Sequence, residues 1–108
     1  GGEQRDVREE LGLSSEDFLV LSVGELNENK NQKVIIQAIS LLKDKKIHYI
    51  LCGKGEQIDY LKSLVEEKNL KQNVHFLGYR TDVVRSEERR ITSCIFGGNV
   101  LWTSTRNV

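Results

Sequence analysis

Three short apolar runs in this chain each end in glycine and are followed by a basic residue. They are Val20-Leu21-Ser22-Val23-Gly24 with Lys30, Tyr49-Ile50-Leu51-Cys52-Gly53 with Lys54, and Val74-His75-Phe76-Leu77-Gly78 with Arg80. This combination suits anion binding. Glycine lets a backbone turn sharply or approach a ligand closely, first-turn helix amides lack intrahelical partners and attract negative charge, and a neighbouring cation adds full charge. Asn29 and Asn31 are expected to cap the helix that follows Gly24, which places a phosphate beside Lys30 and Asn31. A single loop of this kind is explained equally well by a turn glycine and a solvated lysine; its recurrence favours a ligand. If the strands are parallel, all three loops lie along the carboxyl edge of one sheet, and Lys30, Lys54 and Arg80 surround one crevice.

Several other chemistries fail on the same residues. Gly53-Lys54-Gly55 supplies two glycines of a dinucleotide fingerprint, but the position of the third is Ile58, which disfavours a nicotinamide dinucleotide. No glycine-rich segment ends in Gly-Lys-Ser or Gly-Lys-Thr, so the phosphate loop of nucleotide hydrolases is absent. His48 and His75 lie in apolar runs without metal-ligand company and read as hydrogen-bonded strand imidazoles. Ser14, Ser15 and Ser22 have no nucleophile-elbow context. Cys52 and Cys94 are far apart and lack metal or redox spacing, which suits reduced core residues of a cytosolic protein. No metal site is expected.

These loops need a scaffold, and the periodicities supply one. Phe18 to Val23 and Ile47 to Cys52 are nearly continuous apolar runs, the pattern of strands covered on both faces. Between them, Ile35, Ala38, Ile39 and Leu42 follow helical spacing, and Lys43-Asp44-Lys45-Lys46 forms a charged connection. After Gly55, Ile58, Leu61, Leu64 and Val65 mark a second helical face ending near Asn69. Strand, helix, strand, helix, strand with short connections predicts right-handed βαβ units, hence an α/β, Rossmann-like parallel sheet with flanking helices. Gln4 to Leu11 is a short charged helix stopped by Gly12. Beyond Gly78, Thr81 and Asp82 offer a cap for a charged segment through Arg90, Ile91 to Phe96 suits a fourth strand, and Gly97-Gly98-Asn99 before Val100-Leu101-Trp102 resembles a hairpin turn. The chain thus divides into a partial Rossmann-like domain over 1–83 and a tail over 84–108.

The 108 residues bound one small domain. With 16 basic and 16 acidic residues there is no global field for nucleic acid, so any anion site is local. No apolar run approaches the about 20 residues that span a bilayer, although a parent protein is compatible with a peripheral place at the inner membrane face.

The succession LVLSVGELNENKNQ, HYILCGKGE and NVHFLGYRTDV resembles the donor-binding, C-terminal domain of the GT-B glycosyltransferases, the retaining group that builds bacterial surface polysaccharides. The resemblance covers about Arg8 to Val83, with the three motifs in the family's order. It implies that Gly24 is the loop glycine after the domain's first strand and that Lys30, with the adjacent Asn31, contacts the donor diphosphate. Gly53, Lys54 and Gly55 would form the glycine-rich turn. Gly78, Tyr79 and Arg80 would form the loop near the nucleotide base, where backbone contacts outweigh side chains. Many members carry arginine where this chain has Glu25, and the family's later pair of glutamates that holds the donor's sugar and ribose is not recognisable here. The implied function is transfer of a sugar from a UDP- or GDP-linked donor, a substrate rather than a cofactor, to a glycan or lipid-linked acceptor. The chain alone is expected to be an inactive fragment of that enzyme. The competing reading is a non-catalytic Rossmann-like module, and an exposed sheet edge would suit a homo-oligomer.

Overall fold

β-branched and aliphatic residues in runs of about six fit a pleated surface buried on both faces. The computed structural model, which describes residues 7–80 and 100–102, places these runs as strands. They are β1 (Phe18–Val23), β2 (Ile47–Cys52), β3 (Val74–Phe76) and β4 (Val100–Trp102). The helices are α1 (Val7–Glu10), α2 (Gln32–Leu42) and α3 (Ile58–Glu67), with a 3₁₀ turn over Glu28–Lys30 before α2. The sheet order is β3-β2-β1-β4, and every pairing is parallel. Val100–Trp102 is a strand, and its partner is β1: Leu19, Val20 and Leu21 stand opposite Val100, Leu101 and Trp102. The charged segment through Arg90, the strand over 91–96, the turn at 97–99, the Asp82 cap and Cys94 lie outside the described residues. Among the described residues no helix is long and apolar enough to cross a membrane.

Because successive strand side chains point to opposite faces, the sheet has two cores. Val20, Tyr49, Leu51 and Val74 pack with Ile36 and Ile39 of α2 and Leu61, Leu64 and Val65 of α3. Leu19, Leu21, Val23, Ile50 and Cys52 pack on the other face with Val7, Leu11 and Leu13. The α1–β1 connection is closed by Arg8, whose buried guanidinium donates to the carbonyls of Ser14 and Asp17 at 2.8 and 2.7 Å.

The α3 face is the expected one, but that of α2 is rotated. Gln32, Ile36 and Ile39 are buried, whereas Ala38 is exposed and Leu42 is 62% exposed. Spacing alone admits either set, because Ile35 and Ile36 are adjacent. Packing against Val20, Tyr49 and Leu51 selects Ile36.

Tyr49 has no exposed surface, and its hydroxyl lies 2.6 Å from Ser22 Oγ. Burial, only partly offset by that hydrogen bond, pushes its phenol up to about 12. A group held neutral in the fold costs stability once the unfolded chain ionises, so folding weakens as pH rises from 10 towards 12. Tyr49→Phe is expected to destabilise the chain by about 1 kcal/mol at neutral pH, the worth of a typical hydrogen bond. A double-mutant cycle with Ser22→Ala in urea checks this: zero coupling would show that the pair contributes nothing.

Candidate functional site

The carboxyl ends of β1 and β2 lead into two loops that are joined backbone to backbone. The Gly24 N–H donates to the Cys52 carbonyl at 2.9 Å, the Leu26 N–H to the Lys54 carbonyl at 2.9 Å, and the Gln57 N–H to the Leu26 carbonyl at 3.1 Å. The approach is so close that a Cβ on Gly53 would fall on the Gly24 carbonyl oxygen, and one on Gly55 would fall on the Leu26 backbone. Gly53 also has φ +153°, which side chains rarely tolerate. These two glycines are therefore explained by loop-on-loop packing, and the rigid double loop they permit is what presents Lys30 and Lys54. Leu26, 1% exposed, plugs the first loop into the core beneath.

Within that loop the capping differs from the expectation. Asn27, in extended conformation, caps the 3₁₀ turn by accepting from the Lys30 N–H at 3.1 Å. Asn29 lies inside the turn. Asn31 occupies the position before α2 in left-handed conformation (φ 57°), makes no side-chain cap, and donates its N–H to the Glu28 carbonyl at 3.3 Å. The amides that precede the hydrogen-bond ladder of α2 are thus those of Gln32 and Lys33, one residue further along. Asparagine tolerates the left-handed region better than most residues, and the 3₁₀ turn requires that region at its exit. Glu25 is exposed and accepts from Asn27 Nδ2 at 3.0 Å.

Gln32, the first residue of α2, was not singled out by sequence. It is 2% exposed; its Nε2 donates to the Glu25 carbonyl at 3.0 Å, and its buried Oε1 has no hydrogen-bond partner among the described residues. A polar residue in a half-apolar helix start gives no signal of burial, so only packing exposes this role.

Gly78 follows β3 at the same sheet edge, with no described atom within 4 Å of an added Cβ, and Tyr79 is 62% exposed. Arg80, expected beside Lys30 and Lys54 around one crevice, has an acidic partner. Its guanidinium donates to both Glu10 carboxylate oxygens at 2.7 and 3.4 Å, tying the loop after β3 to the end of α1. Glu10 stands 70 residues away in sequence, beyond the reach of any local pattern.

The two histidines lie elsewhere. His48 Nδ1 and His75 Nε2 are 3.0 Å apart, and His48 Nε2 is 3.7 Å from Asp17 Oδ2. They line an open cavity with Leu11, Leu13, Lys45 and Asn73, towards the amino ends of β2 and β3 and away from the glycine loops. Burial, and secondarily repulsion from His48, lowers the pKa of His75. A histidine held neutral in the fold leaves the unfolded chain binding more protons below pH 6.5, so this contribution to stability is present above 6.5 and lost as pH falls through the lowered value. Chemical denaturation between pH 7.5 and 5 is expected to show that decline and a shallower one in His75→Gln; equal slopes would contradict the assignment.

The comparisons with known proteins agree with this architecture. The family model described as glycosyl transferases group 1 matches residues 3–94. The chain is 35% identical over 83 residues to the Bacillus subtilis (strain 168) protein named as glycosyltransferase EpsD, covering 75% of this chain and 22% of that one. It is 37% identical over 68 residues to a Campylobacter jejuni N-acetylgalactosaminyltransferase whose name specifies a diphospho-undecaprenol-linked substrate, covering 62% and 18%. The crystal structure of Anabaena HepE in complex with UDP-glucose superposes with a TM-score of 0.64 at 29% identity, over 71% of this chain and 22% of that one. The chain thus spans about a fifth of the length of these relatives. The family match, these likenesses and the parallel sheet with its glycine loops agree: the chain belongs to the group 1 glycosyltransferases and carries part of their GT-B architecture.

Proposed function

We propose that this chain is the nucleotide-holding part of an enzyme that moves a sugar from a nucleotide diphosphate donor to a glycan or lipid-linked acceptor in cell-surface polysaccharide synthesis. The observation that carries the reading is the sheet order. The chain proceeds from β1 to β2 to β3 in one direction, while β4 pairs on the opposite side of β1. The Gly24–Lys30 loop therefore leaves the sheet at a topological switch point, where open α/β sheets form their ligand crevice.

As the sugar's bond to the diphosphate breaks, negative charge accumulates on the leaving phosphates. Lys30 and the first-turn amides of α2 are the groups of this chain that would stabilise that charge, and their fixed placement spares reorganisation as the bond breaks. Gly53, Lys54 and Gly55 would wall the crevice, and Gly78 and Tyr79 would border the base. The UDP-glucose complex of HepE supports a uridine donor, and the name of the Campylobacter relative supports an acceptor carried on a diphosphate-linked lipid. Such an acceptor would suit work at the inner face of a membrane, with the enzyme in the cytoplasm.

The test is an amide chemical-shift titration of the chain with UDP and, in parallel, GDP. Gly24, Lys30, Gly53 and Gly78 are expected to shift together with one saturation curve. No response to either nucleotide at millimolar concentration would sink the reading.

A further inference from the structure

Resting on that reading, we propose that Gln32 is a positioning residue for nucleotide binding: its buried carboxamide holds the Glu25–Lys30 loop in the geometry that presents Lys30. Gln32 begins α2, two residues after Lys30, and reaches back to the Glu25 carbonyl at 3.0 Å. That contact fixes the loop where it leaves Gly24, while the Leu26 and Gln57 backbone bonds fix it against the loop after β2. Gln32 is thus the side-chain tie between the start of the loop and the helix that ends it.

The second observation is the orphan. Oε1 of Gln32 is buried without a partner among the described residues, and an acceptor in that state costs more than an ordinary hydrogen bond returns. An apolar side chain of similar shape, such as methionine, would fill the same seat without that cost. A role in packing alone does not account for a glutamine here, whereas a role in holding the loop does.

Gln32→Met separates the two roles. The variant is expected to melt at the same temperature as the unaltered chain or higher, and to bind UDP about five- to twentyfold more weakly per folded molecule. Amide hydrogen exchange without nucleotide is expected to quicken at Leu26 and Lys30 while β1 and β2 keep their protection. Unchanged UDP affinity, or unchanged exchange in the loop, refutes the inference. So does a lower melting temperature with protection lost evenly across β1 and β2, which would make Gln32 a general packing residue. Gln32→Leu, which also removes the donor without burying a charge, is run alongside in case methionine disturbs folding, and the same loop exchange is read. If the unaltered chain fails to bind UDP, the nucleotide reading fails separately, and the loop exchange still decides whether Gln32 positions the loop.

Discussion

Gly53→Ala is expected to destabilise the chain by about 3–5 kcal/mol, combining backbone strain of about 1–3 kcal/mol with overpacking of similar size. Two independent obstacles meet there. The residue has φ +153°, and its new methyl group would occupy the position of the Gly24 carbonyl oxygen. Neither can relax cheaply, because the Gly24 N–H is already committed to the Cys52 carbonyl and the next loop bonds follow directly. Against a total stability of about 5–15 kcal/mol for a small domain, the variant will be close to unfolded. Gly12→Ala is the control. Gly12 also has positive φ, +71°, but none of the described residues stands within 4 Å of its added Cβ, so a loss of only about 1 kcal/mol is expected. Urea midpoints for the two variants decide the matter: equal losses would show that loop packing is not what requires glycine at position 53.

Lys30→Ala is expected to weaken UDP binding about 10- to 100-fold, which is about 1.5–3 kcal/mol for a charge-assisted hydrogen bond to a diphosphate. Stability should change by no more than about 0.5 kcal/mol, since the residue lies on a half-exposed turn outside the core. The contribution should also shrink with added salt, as a charge open to solvent is screened over about 10 Å at 0.1 M. Lys54→Ala provides a contrast. That side chain is exposed, and the role of the residue in loop packing belongs to its carbonyl, which accepts from Leu26, so a smaller loss of affinity is expected. Arg80→Ala should leave affinity nearly unchanged, because its guanidinium serves the tie to Glu10. Isothermal titration of the three variants tests the ranking, and a loss at Arg80 as large as that at Lys30 would move the diphosphate across the sheet edge.

The sequence by itself determined what depends on neighbours along the chain. Apolar continuity defined β1 and β2 to the residue, helical spacing placed α3 and its buried Leu61, Leu64 and Val65, and the glycine at each strand end located the loops that leave the carboxyl edge of the sheet. The tertiary structure decided what depends on residues distant in sequence. The pairing of Val100–Trp102 with β1 creates the switch point, and no local pattern encodes which strand an apolar triplet will join. The choice of Ile36 over Ala38 and Leu42 as the inward side of α2 came from the shape of the sheet beneath it. Asn27 caps the 3₁₀ turn, and Asn31 holds the position before α2 without a side-chain cap, because the chain makes that extra turn before the helix. The Gly24 and Leu26 backbones that lie against Gly53 and Gly55, and require glycine there, are contacts that no local pattern encodes. Arg80 and Gln32 show the same limit in side chains. The guanidinium found its partner 70 residues away, and the carboxamide was buried beneath a loop whose path only the fold defines.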